Sequence, residues 1–146
     1  MTTVAYDGRT LAADRMLTEG SVKEPAAARK VWRCGDKLLS GAGEYAAMVR
    51  AAEALRTGRP LSSVRNLGGT DFIVVDKTGK AHVYEGATLL YSTRRPTALG
   101  AGRLAALAAM MAGADAAKAV RIAARLVTDT GGGVTAMAVS RRRKRG

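Results

Sequence analysis

Side chains able to do covalent chemistry are few in this chain of 146 residues, which has one histidine, His82, and one cysteine, Cys34. Any Ser/His/Asp or Cys/His arrangement would depend on His82, and a multi-histidine metal site is excluded. His82 itself reads as a strand surface residue. Gly131-Gly132-Gly133 lacks the lysine and spacing of a phosphate-binding loop, and Gly100-Ala101-Gly102 lacks the third glycine of a dinucleotide fingerprint. A threonine at a chain terminus needs no histidine. Thr2 follows Met1, and removing Met1 would free an α-amine with an ordinary pKa of about 7.7–8. Such an amine can take the threonine's hydroxyl proton, directly or through water, as Oγ attacks a carbonyl. The chemistry then needs a cation beside the amine, a carboxylate holding that cation, and a backbone N–H for the oxyanion.

Those supports must be positioned by the elements around Thr2. Thr2 to Tyr6 is a β-prone run, Asp7-Gly8 a hairpin turn, and Thr10 to Asp14 the return strand. The terminus is therefore held in a sheet. Arg15 to Ala28, with Gly20 and Pro25 and no clear period, reads as an irregular loop. Lys30 to Arg33 and Lys37 to Gly41 form a second hairpin around Gly35-Asp36. Glu44 to Arg56 has helical spacing, with Tyr45, Met48, Val49, Ala52 and Leu55 on one face. Thr57 to Gly69 is loop-like. Asp71 to Asp76 and Ala81 to Glu85 form a further hairpin, followed by weaker strands at Leu89 to Ser92 and Thr97 to Leu99. Helices are expected over Arg103 to Met111 and Ala114 to Val127, the second with Ala116, Ala119, Val120, Ala123 and Leu126 on its stripe, before a last strand at Val134 to Val139. Hairpin-paired strands make antiparallel sheets. Two such sheets with helices on their outer faces give an α+β fold, a four-layer αββα sandwich.

Composition bounds the partners. With 4% aromatic residues the core must come from Ala, Leu, Val and Met, and subunit contacts would complete so thin a core. The net charge of +12 invites a nucleic-acid reading, but five of the basic residues are the run Arg141 to Arg145, a solvated tail by default. No zinc-finger spacing or RRM-type aromatic signature accompanies them. A single cysteine fits a reducing compartment. No apolar run reaches membrane-spanning length and the start lacks a secretory signal, so a cytoplasmic protein without membrane contact is expected. Residues 1–140 read as one domain and 141–146 as a basic tail.

In order along the chain, Thr2-Thr3-Val4, Ala12-Ala13-Asp14 with Thr18, Arg29-Lys30-Val31, Asp36-Lys37-Leu38-Leu39-Ser40-Gly41-Ala42-Gly43 and Ala98-Leu99-Gly100-Ala101-Gly102 stand at characteristic spacings. In these motifs the chain resembles the proteasome β-subunit family, and its HslV branch most. That resemblance implies an N-terminal-nucleophile (Ntn) hydrolase acting as a threonine protease. Thr2 would be the nucleophile with its amine the base, Lys30 the neighbouring cation, Asp14 its orienting carboxylate, and the Gly43 amide the oxyanion donor. Thr18 would present backbone groups to a substrate strand, and Ala28 would line the specificity pocket. No cofactor is required. A monovalent cation such as Na+ would sit on the backbone carbonyls of Ala124, Val127 and Thr130, and Asp129 would have a structural role near the site. The implied partners are further copies of this chain in stacked rings, an AAA+ unfoldase ATPase and unfolded polypeptide substrates.

Three departures from the family pattern matter. Ala101 stands where the family has a serine near the threonine amine. Thr57 to Gly69 replaces a long second helix. The basic tail has no family counterpart. The alternatives are a catalytically silent ring protein of the same fold, motivated by Ala101, and a basic nucleic-acid-binding protein, motivated by the tail.

Overall fold

The computed structural model describes residues 2–19, 22–127 and 130–139; the basic tail and Asp129 lie outside them. Its elements, in chain order, are β1 (Thr3–Tyr6), β2 (Thr10–Asp14), β3 (Met16–Glu19), β4 (Val22–Ala27), β5 (Val31–Cys34), β6 (Lys37–Ala42), α1 (Tyr45–Arg56), β7 (Asp71–Val75), β8 (Ala81–Glu85), β9 (Thr88–Thr93), β10 (Thr97–Gly100), α2 (Arg103–Met111), α3 (Ala116–Leu126) and β11 (Val134–Ala138).

Two antiparallel sheets dominate, in the orders β10-β1-β2-β11 and β5-β6-β7-β8-β9. Strand alternation sorts their side chains into layers. Val4, Tyr6, Leu11 and Ala13 face Val31, Leu38, Ile73 and Val75 across the space between the sheets. Ala5 and Ala12 point the other way, onto the alanine faces of α2 and α3. Leu39, Phe72 and Val74 leave the second sheet on its outer face and pack against Ala47, Met48 and Ala51 of α1. The layers run α2/α3, sheet, sheet, α1, which is the four-layer αββα sandwich expected from the hairpin pattern.

The stretch expected to be an irregular loop, Arg15 to Ala28, contains instead the two-stranded ribbon β3-β4, with Met16 opposite Ala27 and Glu19 opposite Val22. The expectation rested on the lack of a clear period and on Gly20 and Pro25. Proline was also read as a breaker, whereas the free edge of a ribbon tolerates its missing N–H.

Two helix faces need a smaller correction. Val49 of α1 and Leu126 of α3 lie toward solvent, at 45% and 72% exposure. The buried surfaces are alanine-rich, Ala47, Ala51 and Ala54 in α1 and Ala116, Ala119 and Ala123 in α3. Small side chains let each helix sit close to its sheet, so the largest apolar residue need not face inward. Asp115 caps α3 by accepting the Lys118 N–H at 2.8 Å.

Candidate active site

Three elements deliver the expected residues to one place. Thr2 leads into β1, a central strand bounded by β2 on one side and β10 on the other. Asp14 ends β2, and Lys30 immediately precedes β5. The carboxylate and the ammonium meet inside the molecule. Lys30 Nζ lies 3.2 Å from Asp14 Oδ1 and 3.3 Å from Oδ2, with Asp14 0% and Lys30 2% exposed.

A buried carboxylate must have its lone pairs filled. Besides the lysine, Asp14 accepts the Thr3 N–H at 3.1 Å, the Gly131 N–H at 3.2 Å and the Met16 N–H at 3.3 Å. The Lys30 main chain is fixed as well, because its carbonyl accepts the Ser40 hydroxyl at 2.6 Å. Burial pushes the Lys30 pKa below the ordinary lysine value, against the opposing pull of Asp14. The result is a cation held in a fixed place whose proton is easier to lose than that of a surface lysine.

Thr2 is 3% exposed, and its carbonyl accepts the Ala101 N–H at 3.0 Å. Gly100, beside it, has φ +90°, and a Cβ there would fall on the Thr2 carbonyl. Only glycine lets β10 pass so close to the start of β1.

Thr2, Lys30 and Gly43 line one pocket of about 210 Å³, together with Met16, Leu17, Glu44, Tyr45 and Met48. Gly43 has φ +138°, and a Cβ would lie 2.5 Å from the Gly69 carbonyl and 2.8 Å from the Thr70 Cα. The next residue is pinned by its N–H, which donates to Thr70 Oγ1 at 3.1 Å. The loop behind Gly43 is therefore fixed on both sides. A threonine, a buried lysine paired with a carboxylate, and a glycine backbone around one small pocket match the parts list for acyl transfer by a terminal threonine.

Other expected residues fall elsewhere. Thr18 lies on β3, whose preceding residues Met16 and Leu17 line the pocket. Ala28 is buried, and its N–H donates to the Arg15 carbonyl at 2.9 Å; the pocket walls come from Met16, Leu17, Tyr45 and Met48 instead. Ala124 is in the last turn of α3, Val127 caps it, and the Val127 carbonyl accepts the Thr130 N–H at 3.3 Å. Among the described residues no cluster of three His, Cys, Asp or Glu side chains could hold a metal.

Sequence reasoning missed two supports. Thr3 Oγ1 lies 2.7 Å from Thr130 Oγ1 and accepts the Gly102 N–H at 3.0 Å, and Ser40 holds Lys30 from behind. Buried threonines and serines in strands carry no pattern that separates them from surface ones, so only the folded arrangement reveals them.

No family model matches the chain, and no curated protein matches it. Solved structures do. A structure titled Thiobacillus denitrificans BPH in complex with epoxomicin superimposes with a TM-score of 0.75 at 19% identity, over 97% of this chain and 100% of that one. Thiobacillus denitrificans BPH alone gives 0.71 at 20% identity over 97% and 99%. Eukaryotic HslV from Trypanosoma brucei gives 0.70 at 21% identity over 97% and 100%. The chain thus has the Ntn-hydrolase fold in its proteasome-like form, and the likeness extends end to end with HslV. Among the described residues no helix is long and apolar enough to cross a membrane.

Proposed function

We propose that this chain, once Met1 is removed, is a threonine-type endopeptidase of the HslV kind. The observation that carries the proposal is the buried Lys30–Asp14 pair, whose lysine lines the pocket that Thr2 also lines. In this reading the freed Thr2 amine takes the proton from Thr2 Oγ as that oxygen attacks a peptide carbonyl. Lys30 keeps the amine neutral by repelling a second positive charge and stabilises the developing negative charge. Asp14 orients Lys30. The Gly43 N–H receives the oxyanion. The amine then returns the proton to the leaving peptide amine, and water releases the acyl-threonine ester by the reverse sequence.

The substrate is an extended, unfolded polypeptide. Among the described residues the ribbon strand β3 pairs with β4 alone, and its other edge would take a peptide strand passing Thr18. Assembly into stacked homo-oligomeric rings, supply of unfolded chains by an AAA+ ATPase, and a cytoplasmic location complete the proposal, all by likeness to HslV. No cofactor enters the reaction; a monovalent cation such as Na+ on the carbonyls of Ala124, Val127 and Thr130 would stiffen the turn that leads to Gly131. Residues 1–140 would act as one domain and 141–146 as a basic tail, with nucleic acid not favoured as a partner.

The test is direct. Mature protein should cleave short fluorogenic peptides and take up one epoxomicin per chain, mapped to Thr2 by mass spectrometry. Thr2→Ala should abolish both. Cleavage that survives in Thr2→Ala would refute the assignment.

A further inference from the structure

On the outer face of the second sheet, register aligns Leu39, Val74, His82 and Ser92 in one row across β6, β7, β8 and β9. The first two lie beneath α1. Beyond them the cover runs out. His82 is half-buried and Ser92 is exposed on the edge strand β9.

The imidazole of His82 is held at both nitrogens. Nε2 is 2.9 Å from Asp76 Oδ2, and Nδ1 is 2.7 Å from Ser92 Oγ. A carboxylate can only accept, so Nε2 carries the proton. In the neutral imidazole Nδ1 is then a lone pair that accepts the Ser92 hydroxyl. Nucleophile, base and orienting carboxylate are thus joined in sequence, with donor and acceptor directions that agree.

The two Asp76 oxygens have separate duties. Oδ1 closes the β7-β8 turn, accepting the Thr78 hydroxyl at 2.6 Å, the Thr78 N–H at 2.8 Å and the Lys80 N–H at 3.2 Å. Oδ2 is left for His82, so a turn that only needed closing would leave it to water. Burial pushes the Asp76 pKa up, but the hydrogen bonds from Thr78, His82 and Lys80 outweigh it and hold the carboxyl well below its ordinary range. Asp76 and His82 also border a groove of about 300 Å³, whose other walls include Leu55, Leu61, Val74 and Tyr84, with Lys37 as a cationic lining residue. Ser92 stands outside that lining, on the neighbouring strand, so an ester carbonyl at Ser92 Oγ would send its acyl chain past His82 into the apolar part of the groove.

We infer that Ser92, His82 and Asp76 form a second nucleophilic site, independent of Thr2, which takes an acyl group from carboxylic esters with apolar acyl chains. Ser92 Oγ attacks the ester carbonyl while His82 Nδ1 takes the hydroxyl proton. The tetrahedral adduct collapses, the ester C–O bond breaks, and the alkoxide leaves with the proton returned by His82. Water, deprotonated by the same nitrogen, frees Ser92. Asp76 is a positioning residue, which fixes the tautomer that leaves Nδ1 as the base.

The experiment uses the full chain, an alkyl fluorophosphonate as the probe of serine reactivity, and p-nitrophenyl butyrate as the ester. In protein that keeps Met1, whose Thr2 amine is capped, the fluorophosphonate should add once, at Ser92, and butyrate ester cleavage should follow the same variants. Ser92→Ala should lose both signals, and its exposed position leaves folding unaffected. His82→Gln should lower both by about 100-fold, the usual worth of a general base. Asp76→Asn should lower both as well, although it can keep the turn through Oδ1. Urea unfolding midpoints establish that each variant is folded; should His82→Gln prove unfolded, Ser92→Ala and the mapped label decide the matter. No label at Ser92, or a label indifferent to Asp76→Asn in folded protein, overturns the inference.

Discussion

Thr3 and Thr130 meet hydroxyl to hydroxyl at 2.7 Å across 127 positions of sequence, with both side chains buried. The contact binds the strand that follows Thr2 to the loop whose Gly131 N–H donates to Asp14. Thr130→Val should leave Thr3 Oγ1 with the Gly102 N–H alone and cost about 1–2 kcal/mol, with Thr130→Ser restoring most of it. Urea unfolding of the three proteins measures this directly. Equal stability of Thr130→Val and the parent would show that the pair contributes nothing.

The Asp14–Lys30 pair should respond asymmetrically to its two deletions. Asp14→Ala strands a buried ammonium and three backbone N–H groups, so a loss of about 3–5 kcal/mol is expected. Combining Asp14→Asn with Lys30→Met removes both charges and should be milder than Asp14→Ala. Peptide cleavage should vanish in both, which separates the contribution to stability from that to chemistry. A folded Asp14→Ala protein of parental stability would contradict the buried geometry.

Two glycines with left-handed backbone should behave differently. Gly43→Ala drives a Cβ into the Gly69 carbonyl and Thr70 Cα, whereas Gly35→Ala meets nothing within 4 Å and pays only for its φ of +65°. The second should cost about 1–2 kcal/mol. The first should cost more and should also suppress peptide cleavage. Thermal melts alongside turnover measurements compare them, and an active, stable Gly43→Ala protein would exclude a close-fitting loop at the pocket.

Asp76 gives a pH dependence with a defined sign. Its folded pKa is lowered from 3.8, so the folded state binds its proton less readily than the unfolded chain. The stabilisation is fully present above about pH 4 and is lost as pH falls below that value toward the folded pKa. Asp76→Asn should flatten the stability profile below pH 4 and lower the plateau above it. A parallel profile would place the acid sensitivity elsewhere.

Ala101 donates its N–H to the Thr2 carbonyl, so the position lies beside the proposed nucleophile. Ala101→Ser should raise peptide turnover if a hydroxyl there assists proton movement from the amine. Single-turnover kinetics at fixed pH read this out, and unchanged rates would show that the proton path bypasses the position.

Much of the fold was legible because its signals are local. Asp7-Gly8, Gly35-Asp36 and Lys77 to Lys80 mark hairpin turns, and the strands between them alternate between two covered faces. The β3-β4 ribbon was not legible, since its residues show no clear period and include Gly20 and Pro25, which read as breakers. Ala28 was expected at the pocket and Met48 was not, because pocket walls depend on where α1 lies over the sheet, a long-range packing outcome. The Asp76, His82 and Ser92 chain escaped notice for a related reason. Six and ten residues separate its members, and only the registers of β7, β8 and β9 put them side by side.

Thr2 leads into β1, yet one of that strand's two neighbours is β10, formed by residues near position 100, and the loop beneath Asp14 includes Gly131. Chain closure across such separations is slow compared with hairpin formation. The second sheet, built from β5 to β9, can therefore form while β1 still lacks β10. The surroundings of Thr2 are complete only once segments as far along as residue 131 have joined them, so the proposed nucleophile is set in place late in folding.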